Sequence, residues 1–332
     1  MRLVLNSPFD MHLHLRDNEM LENVAPLSSI YFRGGLVMPN LTPPIFSKDD
    51  VLSYKKRILK ASKCDDFEPF MTVFYSKELN VEKLQQLKDY IKAVKLYPAG
   101  VTTNSESGLS ELDFSAMRDV LDFMSNNNIP LSIHGETNGF ILDRESEFAP
   151  IFENLAKEFP KLKIIMEHIS TTTLANLLDK YENLYATITI HHLLFTLDDL
   201  LGERLNPHLF CKPIVKTYKD RETLLNLALN AHEKVSFGSD SAPHTKSSKE
   251  CANGSAGIFS SPIALLCLAE LFEKHNKLDN LQKFVSDNAK KIYDIELSNK
   301  EVVLVKKDFL VPENYGTVVP MFANKTISWS YE

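Results

Sequence analysis

The chain of 332 residues is 44% hydrophobic and 24% charged, with 11 Gly, 16 Pro, 4 Cys and a formal net charge of −7. Those proportions fit a soluble, well-packed globular protein and exclude collagen-like, disordered and disulfide-scaffold chains. Its 37 basic residues against 44 acidic ones leave no surplus to neutralise phosphates, and no dense Lys/Arg block is present, so no nucleic-acid partner is expected.

From the N-terminus, Met1 to Leu5 is apolar apart from Arg2, but Asn6, Pro8 and Asp10 interrupt it before a signal-peptide core forms, which points to the cytoplasm. A unit then recurs: a short apolar or β-branched run ending in a polar residue, followed by an amphipathic segment. The runs are Pro8 to Leu15, Gly35 to Asn40, Pro69 to Tyr75, Ala93 to Pro98, Pro130 to Gly135, Lys163 to His168, Tyr185 to His191 and Val235 to Asp240. Asp49 to Ala61, Val81 to Ile91, Asp113 to Asn127 and Arg221 to Ala231 read as helices between them.

Strand and helix alternate at spacings of roughly 25 to 50 residues, as βα units do. Eight such units predict an α/β fold, the (β/α)8 TIM barrel, whose catalytic groups sit at the C-terminal ends of the strands. A doubly wound open sheet would normally carry a glycine-rich phosphate turn after its first strand, and Leu15 to Glu19 contains no glycine. No linker divides the chain, so residues 1–332 are expected to form a single domain, with about 288–332 as a C-terminal extension packed on the barrel. Apolar stretches such as Ile263 to Leu268 are far short of the ~20 residues of a membrane span. Cys64, Cys211, Cys251 and Cys267 lie apart with no CxxC pair and are expected to be small, mostly buried side chains.

The chemistry gathers at the ends of the runs. Strand alternation puts His12 and His14 on one face, with Met11, Leu13 and Leu15 on the other, and two imidazoles side by side can chelate one metal. His134, His168 and Asp240 close or nearly close the fifth, sixth and eighth runs. Singly they read as hydrogen-bonded core histidines and a turn-capping aspartate; converging on one rim they are hard to explain by packing. Lys95 lies in the fourth run where a barrel would bury it, and an isolated ammonium there costs several kcal/mol, so it must pair, lose its proton or be modified. A neutral amine can add carbon dioxide to give a carbamate, an anion able to bridge two cations. His191 and His192 end the seventh run, where strand neighbours face opposite ways; His208, His232 and His275 read as structural or surface residues.

Taken in order, Asp10-Met11-His12-Leu13-His14-Leu15-Arg16, Met38-Pro39-Asn40, Val94-Lys95-Leu96-Tyr97-Pro98-Ala99, Ile133-His134-Gly135-Glu136, Glu167-His168-Ile169 and Gly238-Ser239-Asp240-Ser241-Ala242-Pro243-His244 resemble the binuclear amidohydrolase superfamily. Within it they look like the dihydroorotases of the shorter, bacterial type (class II). The resemblance implies a metal-dependent cyclic amidohydrolase that catalyses the reversible cyclisation of N-carbamoyl-L-aspartate to (S)-dihydroorotate plus water, the third step of de novo pyrimidine biosynthesis. It implies two zinc ions (Zn2+) per subunit bridged by a carboxylated Lys95 (N6-carboxylysine) and a hydroxide. His12, His14, Lys95 and Asp240 hold one ion, and Lys95, His134 and His168 the other.

By the same resemblance Asp240 is the catalytic proton-transfer group. His14, Arg16, Asn40, His134, His244, and the backbone at Lys212 and Ala256 bind the substrate, and Arg16 suits a non-reacting carboxylate because its fork grips two oxygens. The family carries an apolar residue where Lys212 stands, so this chain departs there. Gly100 to Ser105 resembles the family's mobile loop, with Thr102 and Thr103 closing over the substrate. A homodimer is implied as well, with no membrane partner. Competing readings are another cyclic amidase of the dihydropyrimidinase or allantoinase type, against which Arg16, Asn40 and His244 argue, and an inactive relative serving as an assembly subunit, against which the full ligand set argues.

Overall fold

A computed structural model describes residues 1–332. Ahead of the expected runs, Arg2–Asn6 forms strand β1; the runs themselves become β2 (Phe9–Leu13), β3 (Gly34–Val37), β4 (Glu68–Phe74), β5 (Ala93–Leu96), β6 (Leu131–Ile133), β7 (Ile164–Met166), β8 (Leu184–Ile188) and β9 (Val235–Phe237). Most are shorter than their runs because the polar ends turn out of the ladder to form the rim. β2 to β9 pair in chain order, each neighbour parallel to the last. Beyond the ends of β2 and β9, Leu13 bridges Ser241, the Asp240 N–H donates to His12 O at 2.8 Å and the His14 N–H to Ser241 O at 3.2 Å, which closes the ring. The architecture is the (β/α)8 barrel.

The amphipathic segments form helices where side chains cap them. Lys48–Ser62 begins with a Ser47–Asp50 capping box, and Phe114–Asn126 with the Asp113 carboxylate accepting from Ser115 N–H and Ala116 N–H. Val81–Leu87 stops short of Ile91, and Tyr218–Leu229 starts three residues before Arg221.

The core has two layers. The larger packs strands against helices; the smaller fills the barrel, where Phe9, Met11, Leu36, Phe70, Ala93 and Ile165 meet Ala289, Ile292 and Tyr293. Helix Asn288–Tyr293 thus plugs the N-terminal end of the barrel, while β1 pairs with β10 (Glu301–Val305) and ties the chain's two ends together outside it.

Three expectations are corrected. Met11 shares the inner cluster with Ala93 and does not face away from it, because the register of β2 slips between Asp10 and Leu13 and the bulge turns both Met11 and His12 inward. His191 and His192 do not end a strand: β8 stops at Ile188, and both lie on the helix Ile190–Leu194, capped by Thr189, with ring centroids 4.6 Å apart. Of the four cysteines, Cys211 and Cys267 are buried, whereas Cys251 is exposed and Cys64 intermediate. No helix is long and apolar enough to cross a membrane.

Candidate metal centre

The C-terminal ends of the strands carry all six expected ligands. His12 Nε2 and His14 Nε2 stand 3.5 and 3.1 Å from Asp240 Oδ1, and all three ligand atoms lie within 4.8 Å of one another. Across the rim, His134 Nδ1 faces His168 Nε2 at 3.2 Å. Lys95 is fully buried, its Nζ has no hydrogen-bond partner, and its charge is felt by His12, His14 and His168 alike.

Burial sets the protonation of the group. It holds His14 and His168 well below the ordinary histidine range and His12 below it, so the imidazoles are neutral and free to donate lone pairs. It pushes Lys95 down to about 8, against the pull of Glu167 and Asp240, and raises the Asp240 carboxyl. The backbone turns sharply where these groups leave the strands: Arg16 (φ 59°), His168 (φ 42°) and Asp240 (φ 44°) are left-handed. Non-glycine residues hold such conformations at about 1–3 kcal/mol each, and they cluster where function needs them.

Sequence reasoning missed the groups that orient the ligands. Glu167 Oε2 accepts from His12 Nδ1 at 2.8 Å and from Thr187 Oγ1 at 2.6 Å. Glu136 Oε2 accepts from His134 Nε2 at 2.7 Å, which leaves the lone pair on Nδ1, the nitrogen facing His168. Asp10 accepts from Ser239 N–H at 2.7 Å and fastens the ring closure beside Asp240. Carboxylates behind imidazoles are what a metal site uses to fix tautomer and direction. The i+2 spacing of His134 and Glu136 was a usable signal; nothing local pairs His12 with Glu167. Four imidazoles, one carboxylate and an unpartnered buried amine make a donor set of nitrogen and oxygen that fits divalent cations such as zinc.

The wall beside this cluster is built to meet an anion. Arg16 donates from Nε to Pro243 O and from Nη2 to His244 Nε2, each at 3.2 Å. The neighbouring Asp17 pairs with Arg57 at 2.9 Å, and the Arg16 guanidinium faces the cavity without an ion-pair partner. Burial, together with Arg16, pushes His244 down to about 3; its ring is a neutral acceptor that steadies the guanidinium. Asn40 donates to Thr103 O at 3.0 Å, Lys212 Nζ donates to Val101 O at 2.8 Å, and Thr102, Thr103 and Ala256 line the same cavity.

His191, His192 and Cys211 form a separate buried group. His192 is occupied by Thr189 Oγ1 and Pro213 O, and Cys211 Sγ donates to that same carbonyl, as structural residues do. His208 pairs with Glu250 and His232 with Asp179, and neither joins the ligand cluster.

Residues 4–302 match the amidohydrolase family model. The chain is 47% identical over 338 residues to a dihydroorotase of Helicobacter acinonychis, covering 100% of this chain and 99% of that one. It resembles the crystal structure of a dihydroorotase from Campylobacter jejuni with a TM-score of 0.96 and 51% identity, covering 100% of this chain and 97% of that one. It also resembles a Saccharomyces cerevisiae dihydroorotase in complex with 5-fluoroorotic acid, with a TM-score of 0.94 and 33% identity over 100% of this chain and 98% of that one.

Proposed function

The chain belongs to the amidohydrolase family and, within it, to the dihydroorotases, and from that premise we infer how its own residues carry the reaction. It interconverts N-carbamoyl-L-aspartate and dihydroorotate, a step of pyrimidine biosynthesis, at a binuclear metal-dependent centre. We propose zinc as the metal, with His12, His14, Asp240 and a carboxylated Lys95 holding one ion and Lys95, His134 and His168 the other. When bound, the ions polarise the amide carbonyl and lower the pKa of water to about 7, so that a nucleophile exists at neutral pH.

The side chains do the rest. With Lys95 at about 8, roughly a tenth of it is uncharged at pH 7, and that is the form that adds carbon dioxide. The carbamate replaces a buried, unpartnered ammonium with two acceptor oxygens. In ring opening Asp240 would take the proton of the attacking hydroxide and pass it to the leaving ring nitrogen; in ring closure it would take the proton of the attacking carbamoyl nitrogen and pass it to the departing oxygen, which leaves as water. Arg16 grips the carboxylate that does not react, His244 holds the guanidinium in place, and His14, Asn40, His134 and the backbone at Ala256 and Lys212 complete the cradle. Thr102 and Thr103 close over it and exclude water. A cytoplasmic homodimer, with all 332 residues in one domain, goes with this reading.

The observation that carries the substrate assignment is Arg16, a guanidinium hydrogen-bonded to neutral partners and facing the candidate ligands with no direct ion pair, Asp240 acting on it only through space. A dihydropyrimidinase-type substrate has no carboxylate to place there. Ring opening of dihydroorotate and dihydrouracil by the zinc-loaded enzyme separates the two. Dihydroorotate is expected to be turned over at least about a hundredfold better, the worth of a bidentate charge-assisted pair; a preference for dihydrouracil overturns the assignment.

A further inference from the structure

We infer that the side chain of Lys212 is the latch that sets how firmly the loop from Gly100 to Ser105 closes over the site, a positioning role that rests on the function proposed above. Lys212 lies after β8, across the mouth of the barrel from the loop that follows β5. It is half-buried, and its ammonium donates to Val101 O at 2.8 Å. It forms no ion pair with a carboxylate, so the charge is directed at a loop carbonyl. An apolar side chain here would have no donor for that bond.

The loop is braced from within. Ser105 is buried, its Oγ accepts from Thr102 N–H at 3.0 Å and donates to Thr102 O at 2.7 Å, and Gly100 N–H donates to Ser105 O at 3.1 Å. Two side chains outside the loop hold it down: Lys212 at Val101, and Asn40 at Thr103, with Asn104 donating back to Asn40 O. The cavity beneath is about 20 Å³. That is room for about one water, whereas the substrate has about a dozen heavy atoms, so the loop must lift to admit it. The roles of the two side chains then diverge. The Asn40 amide is wanted by the substrate, so its bond to Thr103 is surrendered on binding. Lys212 bonds only the loop, and its flexible four-carbon stem lets the ammonium follow Val101 O when the loop rests higher over the bound substrate. It therefore favours closure in the empty and the loaded enzyme alike.

The test compares Lys212→Met with Lys212→Arg in the metal-loaded enzyme. The Met variant keeps the length and loses the donor. Amide hydrogen exchange from Val101 to Ser105 is expected to run about tenfold faster in it, the worth of one hydrogen bond to a charged group, with exchange in the barrel strands unchanged. kcat is expected to fall by a similar factor while KM stays level or drops, because loop opening admits substrate more easily but the loaded enzyme closes less often. Lys212→Arg is expected to restore both. Loop exchange at the wild-type rate in the Met variant, a rise in KM at constant kcat, or no recovery with Arg would each overturn the latch. If the wild-type enzyme fails to turn over dihydroorotate, the proposed function falls, and the exchange comparison still decides the role of Lys212.

Discussion

The two ends of the barrel are made by the same eight strands and do opposite work. On β5, Ala93 lies in the apolar floor and Lys95, two residues on, lies among the metal ligands. On β2, Phe9 and Met11 pack against helix Asn288–Tyr293, while His12 and His14 meet Asp240. The floor groups Phe9, Leu36, Phe70, Ala93, Ile165 and Ile292 in a close-packed apolar cluster. The rim is polar, holds Lys95 Nζ and Tyr97 Oη buried without partners, as the floor holds Tyr293 Oη, and it alone of the two carries the left-handed backbone of Arg16, His168 and Asp240. Stability comes from one end, and the other holds strained and under-satisfied groups in place for chemistry.

Substitutions at the two ends should therefore fail differently. Lys95→Ala removes the group shared by both ligand sets and should lower kcat/KM on the order of a thousandfold, the several kcal/mol that metal-assisted stabilisation supplies. Its melting temperature should fall little, and formate or acetate should restore part of the rate by standing in for the carbamate. Wild-type turnover in this variant would remove Lys95 from the centre. At the floor, Ile292→Ala should cost about 2–5 kcal/mol in a urea titration, the transfer and cavity terms of a buried aliphatic side chain, while kcat per folded molecule holds. A matching drop in kcat would show that floor packing and rim geometry are coupled.

The smallest effect is on the pH dependence of the metal-free protein. Burial holds His12, His14, His168 and His191 below the ordinary range, His192 at about 4 and His244 at about 3. The unfolded chain takes up these protons near 6.5, so between about pH 6.5 and 4 it binds more of them than the folded state, and stability falls on acidification. Asp10 and Glu145, both raised to about 7, and the raised Asp240 act in the opposite sense, but six imidazoles outnumber three carboxyls. The urea midpoint should be lower at about pH 5 than at about pH 7.5, with exchange at the rim rising before exchange at the floor. A midpoint that rises on acidification would show the carboxyls in control.

Much of this division was legible in the chain itself. Short runs with polar ends located the eight barrel strands, and the ends of those runs named the candidate metal ligands, because where an apolar run gives way to a polar residue is a local property. The bulge that turns Met11 inward was not legible, since it exists only in the register between β2 and β3. The helical placement of His191 and His192 was not legible either: an apolar run looks alike whether it continues a strand or begins a short helix.

The sequence by itself determined the fold, the six ligand positions and Arg16 as the candidate carboxylate grip, because residue type and periodicity carry those. Only the tertiary structure decided which groups aim the ligands and hold the loop. Glu167 reaches His12 across 155 positions and Lys212 reaches Val101 across 111. Such pairs arise from closing the barrel, which brings the strand ends and their loops onto one rim; no pattern within a single element encodes them.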